Sequence, residues 1–546
     1  MAKQLLLMIA LGVAAGGCRS PRQQFACNPA PIHAASNPPV EETEEAEVTQ
    51  ASYEDEPAAA SAGEKAGPKL QQPRELSTEI IETPPPEPQA NSDPSVLAII
   101  TSVRNHFPAV RQAEASRIIA SGEQLSAWGA FDRKLDGYSN AQPLDYYENN
   151  WHKYTIKRDT MWGGQVGAGY KIGRGSFEPW YKERETNDGG EFQLSLFAPI
   201  GRDWAIDANR AALWRAQLEQ NRVEPFIRSQ LILSVRDGLQ AYWMWVAAGE
   251  NLKIAEGLLK LGVDRATYLK RQVELGEKAE IDIVDNRRII VSREAKLTAA
   301  KQKLTQAAAK LSLYFRDDSG MPLLVDDRLE SSFPEIRVPE EATLGQDLEL
   351  AISNRPELAE LEIVRRQLAV DSRQAVNETR ADVDAGIFVA QDVGAPTKDD
   401  DKSELELNAI ATLSVPLERR KALGKVRQVR GKQAQLRAKT QFAEDKIVVE
   451  VQVARAAVIA AAERVEQNRE SVELAQRMQE AENRLYEEGQ STLFQLNLRE
   501  QQRAEAAADL VAAKRDFFTA LAEYTAALGL DGGDLVSIYQ GIADQL

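Results

Sequence analysis

Two hydrophobic patterns alternate along the chain and predict two kinds of element. In residues 192–198 and 404–415, apolar and polar residues alternate with period two, and the runs end at Pro199 and Pro416. This period predicts strands with one apolar and one polar face. The wall of a membrane barrel and a half-buried strand of a soluble sheet both produce it, so alternation alone leaves the two open.

Further strand signals are less regular. The run 381–390 alternates and predicts the partner of the strand at 404–415. The glycine-rich segment 164–175 fits either an additional strand or a loop, and its glycines lack the spacing of a nucleotide-binding loop. Aromatic residues crowd the region 128–204, which fits either a girdle at the surfaces of a membrane or an aromatic core. The sequence leaves both of these choices open.

After each strand region the period becomes helical. In the second long segment, apolar residues recur at alternating steps of four and three, beginning Ile447, Val451 and Ala454, which is the seam of a left-handed coiled coil. Long helices are predicted at about 207–274 and 422–487. At the rise of an α-helix each is about 100 Å long. No compact domain needs helices of this length.

Each long helix leads into a glycine and a shorter returning helix. Gly276 and Gly489 hold equivalent positions in the two turns, and the returning helices are predicted at 281–315 and 493–528. Thr492, with a glutamine three residues later, predicts a capping box for the second of them. The order short helix, two strands, very long helix, turn, shorter helix thus occurs twice, which predicts an internal repeat.

The N-terminus predicts export. Residues 1–17 contain a lysine, a short apolar run and small residues before Cys18, which predicts a lipoprotein signal peptide and lipidation of Cys18. An ordinary signal peptide with an incidental cysteine is the alternative. Residues 18–94 are acidic and proline-rich, which predicts a disordered tether. The remaining predicted parts are a first repeat (95–316, strands within 128–199), a connector (317–346), a second repeat (347–530, strands within 381–416) and a short C-terminal tail (531–546).

Composition argues against several functions. The 546-residue chain has a formal net charge of −17, which disfavours broad nucleic-acid binding. Three histidines and two cysteines leave little material for a metal site or a Cys–His pair. No Ser/His/Asp order or Walker loop occurs, so neither an enzyme nor a cofactor is expected.

The order of these features resembles the TolC-like outer-membrane factors of Gram-negative efflux and secretion systems. The resemblance covers nearly all of residues 96–530. It rests on Asn-Arg-Pro-Glu-Leu at 354–358, on strands that end at proline, and on the turns at Gly276 and Gly489. It implies a mainly α-helical chain with a membrane β-barrel. Three chains, a homotrimer, would share one barrel in outer-membrane lipid, and their long helices would form a periplasmic tunnel.

The resemblance also implies partners for the helical turns. The turns would face a periplasmic adaptor that is coupled to an inner-membrane pump of the RND or ABC class. The turn residues that would contact the adaptor are Gly276, Glu277, Gly489, Gln490, Ser491 and Thr492.

In that family, acidic residues six and nine positions after the turn glycine line the entrance constriction. Asp282 and Asp285 hold these positions in the first hairpin, whereas the second hairpin has Gln495 and Leu498. A threefold ring of aspartates would favour cations. Ordinary solvated carboxylates at a helix start are the alternative. The candidates for pairing between helices beside this gate are Arg271 and Arg484.

The implied function is a passive exit duct in the outer membrane, driven by its partner pump. The alternative is a lipid-anchored periplasmic coiled-coil scaffold without a channel. The alternating strands and the crowded aromatic residues argue against the scaffold, because a spacer needs neither.

Overall fold

The structure is a computed structural model that describes residues 94–325, 332–336, 344–397 and 401–531. The predicted signal peptide, the lipidation site Cys18 and the predicted tether up to residue 93 lie outside the described residues. The same holds for parts of the predicted connector and for residues 532–546.

Helices dominate the described part of the chain. In chain order they are α1 (Val96–His106), α2 (Pro108–Trp128), α3 (Ala208–Glu274), α4 (Glu280–Leu311), α5 (Leu344–Asn354), α6 (Pro356–Asn377), α7 (Arg420–Glu487) and α8 (Leu493–Ala527). With 67 and 68 residues, α3 and α7 are by far the longest. No helix in the described residues is long and apolar enough to cross a membrane.

Local capping explains where α3 and α8 begin. The side chain of Asp207 accepts a hydrogen bond of 2.8 Å from the backbone N–H of Arg210, which starts α3 at the predicted place. The hydroxyl of Thr492 accepts the N–H of Gln495 at 3.3 Å and starts α8. The helix α4 ends at Leu311, four residues before the predicted boundary, because the chain there turns into a short hairpin stabilised by Leu323 N–H donating to the carbonyl of Phe315.

Six strands form one antiparallel sheet in sequence order. They are β1 (Lys134–Gln142), β2 (Asn149–Asp159), β3 (Gln165–Gly175), β4 (Glu191–Pro199), β5 (Asp382–Asp392) and β6 (Glu406–Ser414). The strands β4 and β5 join the two halves of the chain, with Leu194 opposite Val389 and Leu196 opposite Ile387. The predicted strands at 192–198, 381–390 and 404–415 are therefore present.

The first half departs from the predicted order of two strands. It contributes four strands, and the glycine-rich segment 164–175 forms strand β3 rather than a loop. Two helices, not one, precede the strands in each half. Strand β1 has few apolar residues, and in β3 glycines occupy most positions of the face opposite Val166, Ala168 and Ile172, so the period-two signal of both strands is weak.

The core joins the long helices through the predicted seam of α7. Val451 and Val465 are fully buried, and the cluster around them includes aromatic residues of α3 and α8. Trp243 stacks on Phe518 with ring centroids 4.2 Å apart. Burying a side chain of this size contributes about 1.5–3 kcal/mol. The two halves of the chain therefore share one core.

Candidate functional site

One face of the sheet is apolar and open. Its central row of cross-strand neighbours consists of Leu135, Ile156, Ala168, Leu194, Val389 and Leu407. Leu194 is 61% exposed and Leu407 is 71% exposed in the single chain. An apolar surface that continues across six strands requires a cover other than water.

The opposite face of the sheet is mainly polar. Lys157 pairs with Asp136 across β1 and β2 at 2.6 Å. Gln193 and Ser195 of β4 and Asn408 of β6 point to the same side, because they alternate with the apolar residues along each strand. The two faces of the sheet thus differ in polarity.

Exposed aromatic residues lie at both ends of the strands. Trp128, Trp162 and Trp204 are exposed near the helices, whereas Tyr146 and Trp180 are exposed at the far end. Only a few members of the predicted cluster, such as Phe131 and Phe177, are buried among the described residues. Of the two predicted alternatives, the aromatic core is therefore wrong for most of these side chains. Two exposed bands are typical of membrane interfaces.

The sheet has two open edges. The strands β1 and β6 are its edge strands, and all nine residues of β6 are exposed. An open edge presents unpaired N–H and C=O groups that can pair with another chain.

The helical layer also has two open margins. In the part of the layer beside the sheet, neighbouring helices follow the order α2, α3, α6, α7. In the part nearer the turns, the order is α4, α3, α8, α7. One margin is therefore formed by α2 and α4, and the other by α7. Ile118 and Leu125 of α2 and Phe442 and Val453 of α7 are exposed there. These margins and the sheet edges are surfaces that the described part of a single chain leaves uncovered.

The two helical turns have the same backbone geometry. Gly276 and Gly489 adopt φ of 77° and 73°, a left-handed conformation that favours glycine. Beyond the first turn, Glu277 N–H donates to the carbonyl of Gln272 at 2.9 Å; beyond the second, Gln490 N–H donates to that of Leu485 at 2.8 Å. Together with the bonds made by the glycine N–H groups, these are Schellman motifs, which satisfy the last carbonyls of α3 and α7.

The predicted gate residues lie directly beyond the first turn. Asp282 and Asp285 are half-buried in the first two turns of α4. Asp285 forms an ion pair of 3.0 Å with Arg288 of the same helix. The charge of Asp282 acts on Tyr486 of the other hairpin. Burial raises the pKa of Tyr486; Arg265 opposes this rise, and Asp282 adds to it.

The other predicted residues of the turns are mostly exposed. Arg271 and Arg484 are exposed in the last turns of α3 and α7, and within the described residues neither forms an ion pair. Their pairing between chains stays a prediction. Gln495 contributes its backbone N–H to the α8 cap, and its side chain is exposed. The hydroxyl of Ser491 donates to Glu482 of α7.

A buried charged cluster joins the two hairpins near these turns. The carboxylate of Glu500 in α8 accepts hydrogen bonds from the guanidinium groups of Arg265 in α3 and Arg293 in α4; the Arg293 bond is 2.7 Å long. The three side chains are 3%, 9% and 6% exposed. Asn497 accepts a second bond from Arg265 at 2.6 Å. No local pattern in the sequence indicates this cluster.

Apolar contacts accompany the charged cluster. They involve Leu269, Ile283, Tyr486, Leu493 and Leu496. The ammonium of Lys278 lies 4.8 Å from the centre of the Tyr486 ring. The ends of the hairpins are thus held together by a small apolar core and one buried ionic cluster.

Comparison of sequences gives no relative: no protein-family model and no curated protein sequence matches. Comparison of structures does find similar proteins. The outer-membrane channel OprN has a TM-score of 0.59 at 13% identity, with 80% of this chain and 90% of OprN covered. The outer-membrane protein VceC of Vibrio cholerae has a TM-score of 0.58 at 14% identity, with coverages of 80% and 96%.

The open-state outer-membrane channel MtrE of Neisseria gonorrhoeae has a TM-score of 0.56 at 14% identity, with 85% of this chain and 97% of MtrE covered. The matched regions thus cover 90–97% of the length of these three channels. The chain has the fold of the TolC-like outer-membrane channels.

Proposed function

We propose that the protein is an outer-membrane channel that acts as a passive exit duct in a tripartite efflux or type I secretion system. The single observation that carries this proposal is the two-faced sheet joined to helices of about 100 Å. OprN and MtrE, which share the fold, are outer-membrane channels.

In the proposed channel, the sheet forms the part that spans the membrane. Its apolar face would contact lipid hydrocarbon, and its polar face would line water. Since β1 runs away from the helices and β6 runs toward them, β6 of one copy can pair antiparallel with β1 of the next. Three copies with six strands each would close a barrel of eighteen strands. Barrels of this size leave an aqueous channel.

The helices supply the proposed tunnel. In a homotrimer, α7 of one copy would pack on α2 and α4 of the next and cover the exposed apolar residues of both margins. Such an interface joins two different surfaces, and a threefold rotation closes it into a ring. The same threefold rotation closes the barrel, so one arrangement of three copies covers both the sheet edges and the helical margins.

In the proposed channel, the helical turns bind the periplasmic adaptor. Glu277 and Gln490 are exposed beside the turn glycines, where a periplasmic adaptor would bind. An inner-membrane pump of the RND or ABC class would provide the energy, and the duct itself would catalyse no reaction. Asp282 and Asp285 would form the constriction at this end.

The gate assignment has its own test. Replacing Asp282 and Asp285 with alanine removes two acidic rings from the trimer, so the preference for cations over anions should fall. Single-channel recordings in a salt gradient measure this preference. The control is Asp264→Ala, which removes an exposed carboxylate from α3. Unchanged selectivity in the double variant would remove both residues from the gate.

A coiled-coil scaffold without a channel is the second candidate function. The open apolar face of the sheet argues against a scaffold, because a spacer surrounded by water does not need an exposed apolar face. The deciding experiment uses the full purified chain. A heat-modifiable, SDS-resistant trimer with single-channel conductance in planar bilayers supports the duct. A monomer without conductance favours the scaffold.

A further inference from the structure

Three loops lie at the end of the sheet farthest from the helices. They connect β1 to β2 (143–148), β3 to β4 (176–190) and β5 to β6, where residues 393–397 and 401–405 are described. We call the described parts of these three connections the distal loops. Loops at strand ends are usually mobile because their backbone groups bond to water. The distal loops instead bond to one another.

The first and second distal loops meet at Asn149. Its buried side-chain amide donates to the carbonyl of Tyr147 at 2.9 Å and to that of Ser176 at 3.3 Å. The backbone N–H of Ser176 donates to the carbonyl of Glu148 at 2.8 Å. A single side chain thus fixes the start of the second loop against the end of the first.

The second and third distal loops are joined through their backbones. Gly189 N–H donates to the carbonyl of Val393 at 2.7 Å, and Asp188 N–H donates to that of Ala395 at 3.0 Å. The hydroxyl of Thr397 donates to the carbonyl of Thr186 at 2.7 Å. These bonds extend the pairing of the sheet into the loops.

Asn187 is the centre of this junction. Its N–H donates to Asp392 at 3.0 Å, and its side-chain amide donates to Asp401 at 3.2 Å. Asn187 is 1% exposed and the neighbouring Thr186 is 0% exposed. Arg174 of β3 ties the junction to the sheet, with a bond of 2.6 Å to the carbonyl of Asp188. Buried and fully bonded polar networks of this kind hold one conformation.

We propose that the distal loops form a preformed rigid rim that sets the width of the pore mouth at the far end of the sheet. The proposal rests on the proposed function, since the sheet must line a pore. It adds a second constriction that is independent of the helical turns. In a trimer, the three rims would surround one mouth and admit cargo only up to a fixed size.

Hydrogen exchange tests the rim without requiring a channel. In the full-length protein, the amides of Asp188 and Gly189 should exchange slowly. Asn187→Ala removes the bond to Asp401 and should speed their exchange about tenfold, as expected when hydrogen bonds of a buried network are lost. Thr397→Val, a milder change, should act in the same direction. The matched control Glu404→Ala removes an exposed carboxylate of the third loop and should change nothing.

Exclusion of polymers tests the role at the mouth. Polyethylene glycols of increasing size are added to one side of a planar bilayer at a time. In Asn187→Ala, the largest polymer that enters should increase from the loop side only. Unprotected amides in the wild-type protein would overturn the rim, and so would an unchanged size limit in a variant whose loops exchange faster. Absence of conductance in every variant, with slow exchange of the loop amides in wild type, would refute the proposed channel and with it the role at the mouth, but not the rigid loops.

Discussion

Glu500 is the residue whose loss should disturb the helical part of the molecule most. Its carboxylate forms ion pairs with the buried guanidinium groups of both Arg265 and Arg293. Glu500→Ala removes the carboxylate that pairs with both buried guanidinium charges, which should lower the free energy of unfolding by about 3–5 kcal/mol. Denaturant unfolding of the detergent-solubilised protein, followed by circular dichroism, measures this loss.

Glu505→Ala provides the control for that variant. Glu505 lies five residues further along α8 and is exposed, with one bond from Gln501 of the same helix. Its replacement should change the free energy of unfolding by about 0.5 kcal/mol or less. Equal effects of the two variants would show that the buried cluster contributes nothing specific to stability.

The same cluster marks the limit of sequence-based prediction at the scale of residues. Arg265 and Glu500 are 235 positions apart in the chain. Each lies in a charged helix among many similar residues, so no local pattern distinguishes it. Asp282 could be named because it lies a fixed distance from a turn glycine. Residues that meet only through the packing of two hairpins cannot be found in this way.

At the scale of elements, replacing glycine with alanine should lower the stability at the turns and raise it within a helix. Gly276→Ala and Gly489→Ala place a Cβ on a left-handed residue, although no atom lies within 4 Å of that position. The cost is therefore conformational alone, about 1–2 kcal/mol per site. Gly424→Ala, within α7 and equally free of contacts, should instead stabilise the protein by about 0.5–1 kcal/mol. Unfolding free energies of the three variants measure both effects. Destabilisation by Gly424→Ala as well would contradict the conformational explanation.

The long helices were predictable from sequence because two independent signals agree. The heptad seam gives the course of α7, Asp207 gives the start of α3, and the turn glycines give the ends of both helices. The extra strands were not predictable. Glycine occupies alternate positions in much of β3, and a glycine has no side chain to indicate a face. Only pairing with β2 and β4 identifies this segment as a strand.

For the whole molecule, the decisive question is which face of the sheet meets lipid. Leu194 lies near the middle of β4 on the apolar face, and Gln193 is its neighbour on the polar face. Leu194→Arg places a charge toward the proposed hydrocarbon core, which should cost about 2–4 kcal/mol per copy. Since three copies share one barrel, the cost occurs three times in each trimer. The yield of SDS-resistant trimer in outer-membrane fractions should therefore fall steeply.

Gln193→Arg introduces the same side chain one position away. It faces the polar side, where Glu191 already provides an acidic neighbour, so the trimer should form in normal yield. A difference between these two variants depends on the direction in which each side chain points and not on strand propensity or size. If both variants assemble equally well, the apolar face does not meet lipid, and the sheet does not form the wall of a membrane channel.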